Sequence, residues 1–356
     1  MKTKNGDKAG PGRRAVLAAG VLGAAALVPR PARAAARPVR VLSTTDQPVI
    51  QPLIDDFERR HPSLRVDYLQ LGSVEIVQHL LAAGGPAPDV LWSSAMDLQI
   101  KLVNDGHAAR HDSPHEPQLP RWAVWKREAY ATTYEPVGLL FHRGLWPGAE
   151  LPRTHAALAA ALAADPERWR ARVATYDIER AGLGYLLAAH DDKVSPQAWH
   201  LLERLAACRA TLHAQTQAML DSVGSGQALV AYNVLGPYAE AFALGRPELA
   251  VVYPADYTLI ASRVAFIARR APNPDGARLW LDHLLSPQGQ RILGDECGLY
   301  PVRADTSSKR NGAALQRQLG HAARPIALGP GLLAHLDSSR REAFIERWRK
   351  AFAPAP

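Results

Sequence analysis

The chain has 356 residues, 47% hydrophobic, 21% charged and 7% aromatic. That balance excludes intrinsic disorder and fibrous repeats and leaves room for about two hydrophobic cores. The net charge of +8 is lopsided: Lys2, Lys4, Lys8, Arg13, Arg14, Arg30 and Arg33 face only Asp7 within the first 34 residues, so the remainder is nearly neutral and does not read as a nucleic-acid binder.

Residues 1–34 read as an export signal: a basic start, an apolar stretch over 15–28, and an Ala-x-Ala pattern ending at Ala34. The apolar stretch is shorter than the ~20 residues of a membrane span. Arg13-Arg14 directly before it resembles a twin-arginine signal, the general secretory route being the alternative. Cleavage is expected near Ala34, giving a mature protein in the periplasm.

Residues 40–45 then read as a buried strand ending in hydroxyls. Val49, Ile50, Leu53, Ile54 and Phe57 form a helical stripe behind Asp46, a candidate N-cap, with Pro52 predicting a kink or a late start. Leu64, Val66 and Tyr68 alternate as a strand. Ser73 opens a helix that Gly84-Gly85 ends; residues 89–92 are a strand, and Ser93-Ser94 leads into a helix stopped at Gly106. The βαβαβ order predicts a parallel sheet. Strands follow over 131–134 and 137–142, a helix over 154–162, a strand over 173–176 and helices from about 178 and from Ser195-Pro196. A strand over 228–232, a helix over 237–244, strands over 250–253 and 264–268, and helices over 274–285 and 287–293 complete the middle. Ser339-Arg-Arg-Glu342 is a capping-box pattern for a last helix whose inner face is Phe344, Ile345, Trp348 and Phe352.

Catalytic signatures are missing. Gly224-Ser225-Gly226 is one residue too tight for a nucleophile elbow. Gly329-Pro-Gly331-Leu-Leu-Ala334 matches a dinucleotide fingerprint in form, but Pro330 spoils its turn. His107, His111 and His115 share helical spacing across residues that break helices, so they read as a solvated loop. The pairs Asp55-Asp56 and Asp191-Asp192 read as solvated carboxylates. The signal lies where strands pass into helices. Ser43, Thr44 and Thr45 end the first strand and Ser93 and Ser94 the third. Asp177 and Arg180 follow a middle strand; Tyr232 and Asn233 precede another helix. Ligands of open α/β sheets bind at these ends, where helix N–H groups and hydroxyls donate to an anion. Any one junction reads as helix capping; four together predict a cleft.

Val41-Leu-Ser-Thr-Thr45, Asp89-Val-Leu-Trp-Ser-Ser94, Asn104-Asp-Gly106, Ala271-Pro-Asn-Pro274, Leu284-Leu-Ser-Pro-Gln-Gly-Gln290 and Tyr300-Pro-Val-Arg303 carry a family resemblance. From Val41 onward the chain resembles family 1 extracellular solute-binding proteins of ABC transporters, in the cluster that contains ferric-iron-binding proteins. The resemblance implies an α/β, two-lobed type II periplasmic binding protein. Each lobe would hold a mixed, mostly parallel sheet flanked by helices, with two crossing strands between lobes. Residues 35–136 plus 258–356 would form lobe I and 137–257 lobe II, with 135–140 and 257–266 as hinge segments. Lobe closure would capture a solute for an inner-membrane permease.

Ferric members use an adjacent tyrosine pair. Ala231-Tyr-Asn-Val-Leu-Gly-Pro-Tyr238 lacks it, and the loop after the first strand lacks a histidine. Tyr232-Asn-Val-Leu-Gly236, Trp92-Ser-Ser-Ala-Met-Asp97 and Thr132-Thr-Tyr-Glu-Pro136 instead resemble the branch with hexose-phosphate and phosphoglycerate binders, some of which report to a sensor kinase. The expected ligand is therefore a sugar phosphate or similar organophosphate. Ser43, Thr44, Thr45, Ser93 and Ser94 would hold its anion, Asp177, Arg180, Tyr232 and Asn233 would meet it from lobe II, and Glu135 and Asp97 would accept from its hydroxyls. The expectation is a monomeric binding protein, not an enzyme, without cofactor, metal or nucleic-acid partner. The alternatives are ferric iron held by Tyr232, Tyr238 and Tyr257, a sensory protein acting on a sensor kinase, and an exported hydrolase whose site is unrecognised. Cys208 and Cys297, one in each lobe, are expected as free thiols, because a bridge would lock the hinge.

Overall fold

The structure is a computed structural model that describes residues 37–82, 86–147 and 150–353. The export-signal reading of 1–34 and the helix stop at Gly84-Gly85 lie outside the described residues. In chain order the first part runs β1 (Val39–Ser43), α1 (Gln47–Arg60), β2 (Val66–Gln70), α2 (Ser73–Leu81), β3 (Val90–Ser93), α3 (Met96–Asn104), β4 (Ala108–Ala109), β5 (Val124–Trp125), β6 (Ala129–Ala131), β7 (Glu135–His142), α4 (His155–Ala164), β8 (Val173–Tyr176) and α5 (Gly182–Val194). The second part runs α6 (Ala198–Ala207), β9 (Thr211–His213), α7 (Thr216–Gly224), β10 (Val230–Leu235), α8 (Gly236–Ala243), β11 (Leu249–Val252), β12 (Thr258–Ala261), β13 (Val264–Ala268), α9 (Pro274–Leu285), α10 (Pro287–Asp295), α11 (Gly312–Leu319), β14 (Ala323–Pro325) and α12 (Ser338–Phe352).

Two seven-stranded sheets organise these elements. One has the order β2-β1-β3-β13-β6-β5, with β4 on β13; the other has the order β14-β12-β7-β10-β8-β9, with β11 on β7. Both are mixed rather than mostly parallel. β1 is parallel to β2 and β3, and β8 to β10 and β9, but β13 and β7 run antiparallel to their neighbours in the first and second sheet. The reason is the path of the chain. β3 ends at Ser93 where β13 begins at Val264, so a strand returning from the other sheet enters from the opposite end.

The hydrophobic pattern decides most of the local structure. Ile50, Leu53, Ile54 and Phe57 of α1 are buried at helical spacing, and Phe57 packs edge-to-face on Trp280 of α9 at 5.1 Å. Pro52 does not delay this helix, which begins at Gln47 with Pro48 in its first turn. α12 presents the expected Ile345 and Trp348 inward, but its cap is Asp337, which accepts the Arg340 N–H at 3.2 Å; Ser339 is exposed. α12 packs on α6, with Phe344 4.9 Å from Trp199. The last helix therefore lies with the second sheet, whereas the sequence grouped it with the first.

The chain passes between sheets at residues 132–134, linking β6 to β7, and at Ser262-Arg263, linking β12 to β13. The two crossings are bonded together: the Thr132 N–H donates to the Arg263 carbonyl and the Arg263 N–H to Thr133 Oγ1, both at 2.9 Å. A third connection returns through Pro301, bridged to Thr133, and through β14, which pairs with β12. Cys208 and Cys297 are free and buried, and burial pushes their thiols up to about 11 and about 12.

Candidate functional site

A cavity of about 390 Å³ lies between the helices of the two sheets. The first sheet contributes Thr44 and Asp46 after β1, Gln70, Gly72 and Ser73 after β2, and Ser94 after β3. The second contributes Tyr176 and Ala181 around the β8–α5 junction, Gln215 and Thr216 at the start of α7, and Leu235 and Tyr238 at the start of α8. All these are C-terminal strand ends or first helical turns, where unpaired N–H groups collect. The halves meet closely here: a Cβ added at Gly182 would lie 2.7 Å from Ser73 Oγ and 2.9 Å from Leu98.

Arg263 reaches the cavity from the crossing segment although it is 1% exposed. Its Nε lies 2.9 Å from Glu135 Oε1, its Nη2 3.4 Å from Glu135 Oε2, and its Nη1 donates to Thr45 Oγ1 at 2.8 Å. Glu135 is itself 1% exposed and accepts the Thr133 hydroxyl at 2.7 Å. Burial disfavours the guanidinium charge and the Glu135 carboxylate restores it, holding the group cationic. Nη1 and Nη2 each donate one hydrogen bond, whereas the buried Nε–H beside Glu135 has no hydrogen-bond partner among the described residues. The Tyr238 ring lies 5.2 Å from the Arg263 guanidinium, and its buried hydroxyl has no hydrogen-bond partner among the described residues.

The residues singled out by sequence divide sharply. Thr44 and Ser94 line the cavity; Thr44 Oγ1 accepts the Ser94 N–H at 3.1 Å and lies 3.4 Å from Ser94 Oγ. Ser43 and Ser93 turn away, their hydroxyls accepting the N–H groups of Thr45 and Ala95 at 3.1 and 3.2 Å. Thr45 supports Arg263 instead of lining the cavity, and Glu135 serves as its counterion. Asp97 is buried in the first turn of α3, where it accepts the Leu98 N–H at 2.9 Å and burial pushes its carboxyl up to about 7. Asp177 caps its own loop, accepting from Glu179 and Arg180 N–H at 3.0 and 3.3 Å; Arg180 is exposed outside the cavity lining.

Tyr232 and Asn233 face away for a definable reason. β10 is irregular between Tyr232 and Val234, and Asn233 has φ 63°, a left-handed conformation that Asn tolerates. Both side chains therefore reach Asp191, at 2.8 and 2.6 Å. Tyr257 donates to the other Asp191 oxygen at 3.1 Å and stacks on His155 at 4.0 Å. Two of the three tyrosines considered for iron thus donate to one buried carboxylate, and burial, reinforced by that carboxylate, raises both phenols. Only Tyr238 of the three lines the cavity. Asp191, read from sequence as solvated, is 2% exposed. Elsewhere, His111 Nε2 pairs with Asp282 at 2.8 Å. No group of three His, Cys, Asp or Glu side chains is placed to hold a metal among the described residues.

Sequence reasoning missed Arg263, Ser73, Thr216 and Tyr176 as lining residues. Arg263 had left a signal: a lone charge inside the apolar run from Thr258 to Ala268. Thr216 gave little, because β9 before it has only three residues.

Residues 39–296 match the family described as bacterial extracellular solute-binding protein. The chain belongs to that family. The solute-binding protein is 32% identical to the substrate binding protein of the ABC transporter from Agrobacterium tumefaciens, with a TM-score of 0.84 over 90% of this chain and 96% of that one. It is thus a two-lobed binding protein of the kind that serves ABC transporters. Its fold is shared with AfuA from Actinobacillus pleuropneumoniae, solved with fructose-6-phosphate, at 15% identity and a TM-score of 0.72 over 90% of this chain and 100% of that one. The ferric binding protein from Campylobacter jejuni shares it at 16% and 0.69 over 88% of this chain and 99% of that one. A curated relative, the phosphoglycerate transport regulatory protein PgtC of Salmonella typhimurium, is 33% identical over 125 residues, 34% of this chain and 30% of that protein's length.

Proposed function

We propose that the solute-binding protein works in the periplasm, where it captures a small organophosphate, such as a sugar phosphate or phosphoglycerate, and delivers it to an inner-membrane permease. The observation that carries this reading is Arg263: a buried, ion-paired guanidinium in the lining of a cavity ringed by helix N-termini. Thr44, Ser94 and Tyr238 supply hydroxyls beside it. Lobe I comprises residues 39–131 and 264–295; lobe II comprises 135–261 and the last helix; residues 132–134 and 262–263 are the hinge. Closure needs no covalent chemistry. The similarity to PgtC over part of the chain supports the same ligand class, and its regulatory name keeps a sensor-kinase role as a second output.

The test is a thermal-shift series on signal-free protein with glucose 6-phosphate, 3-phosphoglycerate, inorganic phosphate and ferric citrate. A ligand at a hundred times its Kd adds about 2.7 kcal/mol to the folded state, which raises Tm by several degrees. An organophosphate is expected to do so, without turnover. A shift with iron alone, together with a red tyrosinate-to-iron band, overturns the reading; phosphoester hydrolysis would establish the exported-hydrolase alternative.

A further inference from the structure

The charges around the cavity do not suit a simple anion. Among the described residues Arg263 is the one cation in the lining, and Glu135 matches it at 2.9 Å. Asp46 and Glu75 also line the cavity, so the side chains leave it an excess of negative charge. Helix N-termini and the Arg263 donors accommodate a phosphate beside Thr44 and Ser94, but a dianionic ester that continued to Asp46 would meet a carboxylate there.

Asp46 is placed to meet a cation. It occupies the N-cap position of α1, with an extended backbone at φ −61° and ψ 128°, yet its side chain caps no N–H of its own helix. It is half-buried, and Gln70 Nε2 donates to Oδ1 at 2.5 Å. Its charge is felt by both Arg263 and Tyr238. Asp46, Gln70 and Tyr238 also border an adjoining cavity of about 550 Å³ walled by Pro48, Val49 and Phe242. A carboxylate that lines both cavities is the chemistry that holds an ammonium group.

We propose that the solute is zwitterionic: an aminated phosphate ester or aminoalkylphosphonate whose anion meets Arg263, Thr44 and Ser94 and whose ammonium meets Asp46. This rests on the organophosphate reading and narrows its substrate class. Asp46 is then the residue that selects an amine over a hydroxyl, because a hydroxyl leaves the carboxylate charge unmatched.

Calorimetric titration with two matched pairs tests it: O-phosphoserine against 3-phosphoglycerate, and phosphoethanolamine against ethylene glycol monophosphate. Within each pair only an ammonium and a hydroxyl differ. The aminated member of at least one pair is expected to bind at least tenfold tighter than its hydroxyl partner, and Asp46→Asn should erase that preference while the hydroxyl partner binds as well or better. Equal affinities, a hydroxyl preference, or an amine preference that survives Asp46→Asn overturns the proposal and leaves the organophosphate reading standing. Binding by no member of either pair overturns the proposal, and the organophosphate reading then stands or falls on glucose 6-phosphate in the thermal-shift series. The wild-type comparison decides the matter even if the variant fails to fold, which its ligand-free Tm will reveal.

Discussion

Helices of this protein begin in two ways. α4, α9, α10, α11 and α12 start under a side chain of their own: Thr154, Asn273, Ser286, Asn311 and Asp337 each accept a first-turn N–H at 2.8–3.2 Å. α1, α2, α3, α5, α7 and α8 start at Asp46, Gly72, Ala95, Ala181, Gln215 and Leu235, whose side chains accept no such bond. Five of those six residues line the cavity, and Ser94 lines it for α3; none of the five capping residues does. α6 alone breaks the pattern, with Ser195 serving its loop. A cap contributes about 1 kcal/mol by satisfying an N–H that would otherwise need water or a ligand. The cavity side forgoes the N-cap bond; Gln70 and Asp97 take the Gln47 and Leu98 N–H groups at 3.3 and 2.9 Å, and no N-cap side chain takes the others. The same Ser, Thr and Asn residue types thus secure the fold in one place and, at Thr44 and Ser94, line the cavity in the other.

The largest expected effect is at Arg263. Arg263→Met should weaken organophosphate binding at least a hundredfold by calorimetry. It should also lower stability by about 3–5 kcal/mol, because Glu135 would remain buried and unpaired. Adding Glu135→Gln should restore much of the stability and none of the binding; recovered binding would show that the donors of the uncapped helices suffice alone.

Asp97, in the first turn of the uncapped α3, makes the next test. Burial lifts its carboxyl from 3.8 to about 7, so between those values the native state holds a proton that the unfolded state has lost. Its contribution to stability therefore falls as pH rises through that window and is lost above about 7. Burial depresses His190 and His283 from 6.5 to about 4, and they act in the opposite sense between those values. Asp97→Asn should then gain on the order of 2 kcal/mol relative to wild type between pH 5 and pH 7 in urea denaturation. An unchanged pH profile would mean that the carboxylate is ionised in the native state.

Smaller effects separate the two kinds of helix start. Ser94→Ala should weaken ligand binding by about tenfold, one hydrogen bond to a charged group, and barely move the ligand-free Tm. Asn273→Ala should cost about 1 kcal/mol of stability and leave ligand affinity unchanged. If the two variants behaved alike, the contrast between the cavity and the outer surface would fail.

Much of the fold was legible because burial imposes period. The stripe in α1, the buried run of β3 and the inner face of α12 were each readable from residue spacing. The short strands β4, β5, β9 and β14 were not, because two or three residues carry no period. At the site, Thr44 and Ser94 were readable as hydroxyls at strand ends. Their neighbours Ser43 and Ser93 are chemically the same, and only the local turn directs those hydroxyls back to the N–H two residues on.

The sequence by itself determined an alternation of strands and helices, junctions rich in hydrogen-bonding groups, and a resemblance to solute-binding proteins, because periodicity and residue type act over a few residues. Tertiary structure decided which junctions face the cavity. The irregularity in β10 turned Tyr232 and Asn233 onto Asp191, 41 and 42 residues away in the chain. Arg263 acquired its counterion Glu135 from 128 residues away and Thr45 from 218. A charge can be buried only when its partners arrive from separate segments, and that assembly exists only once both sheets have formed.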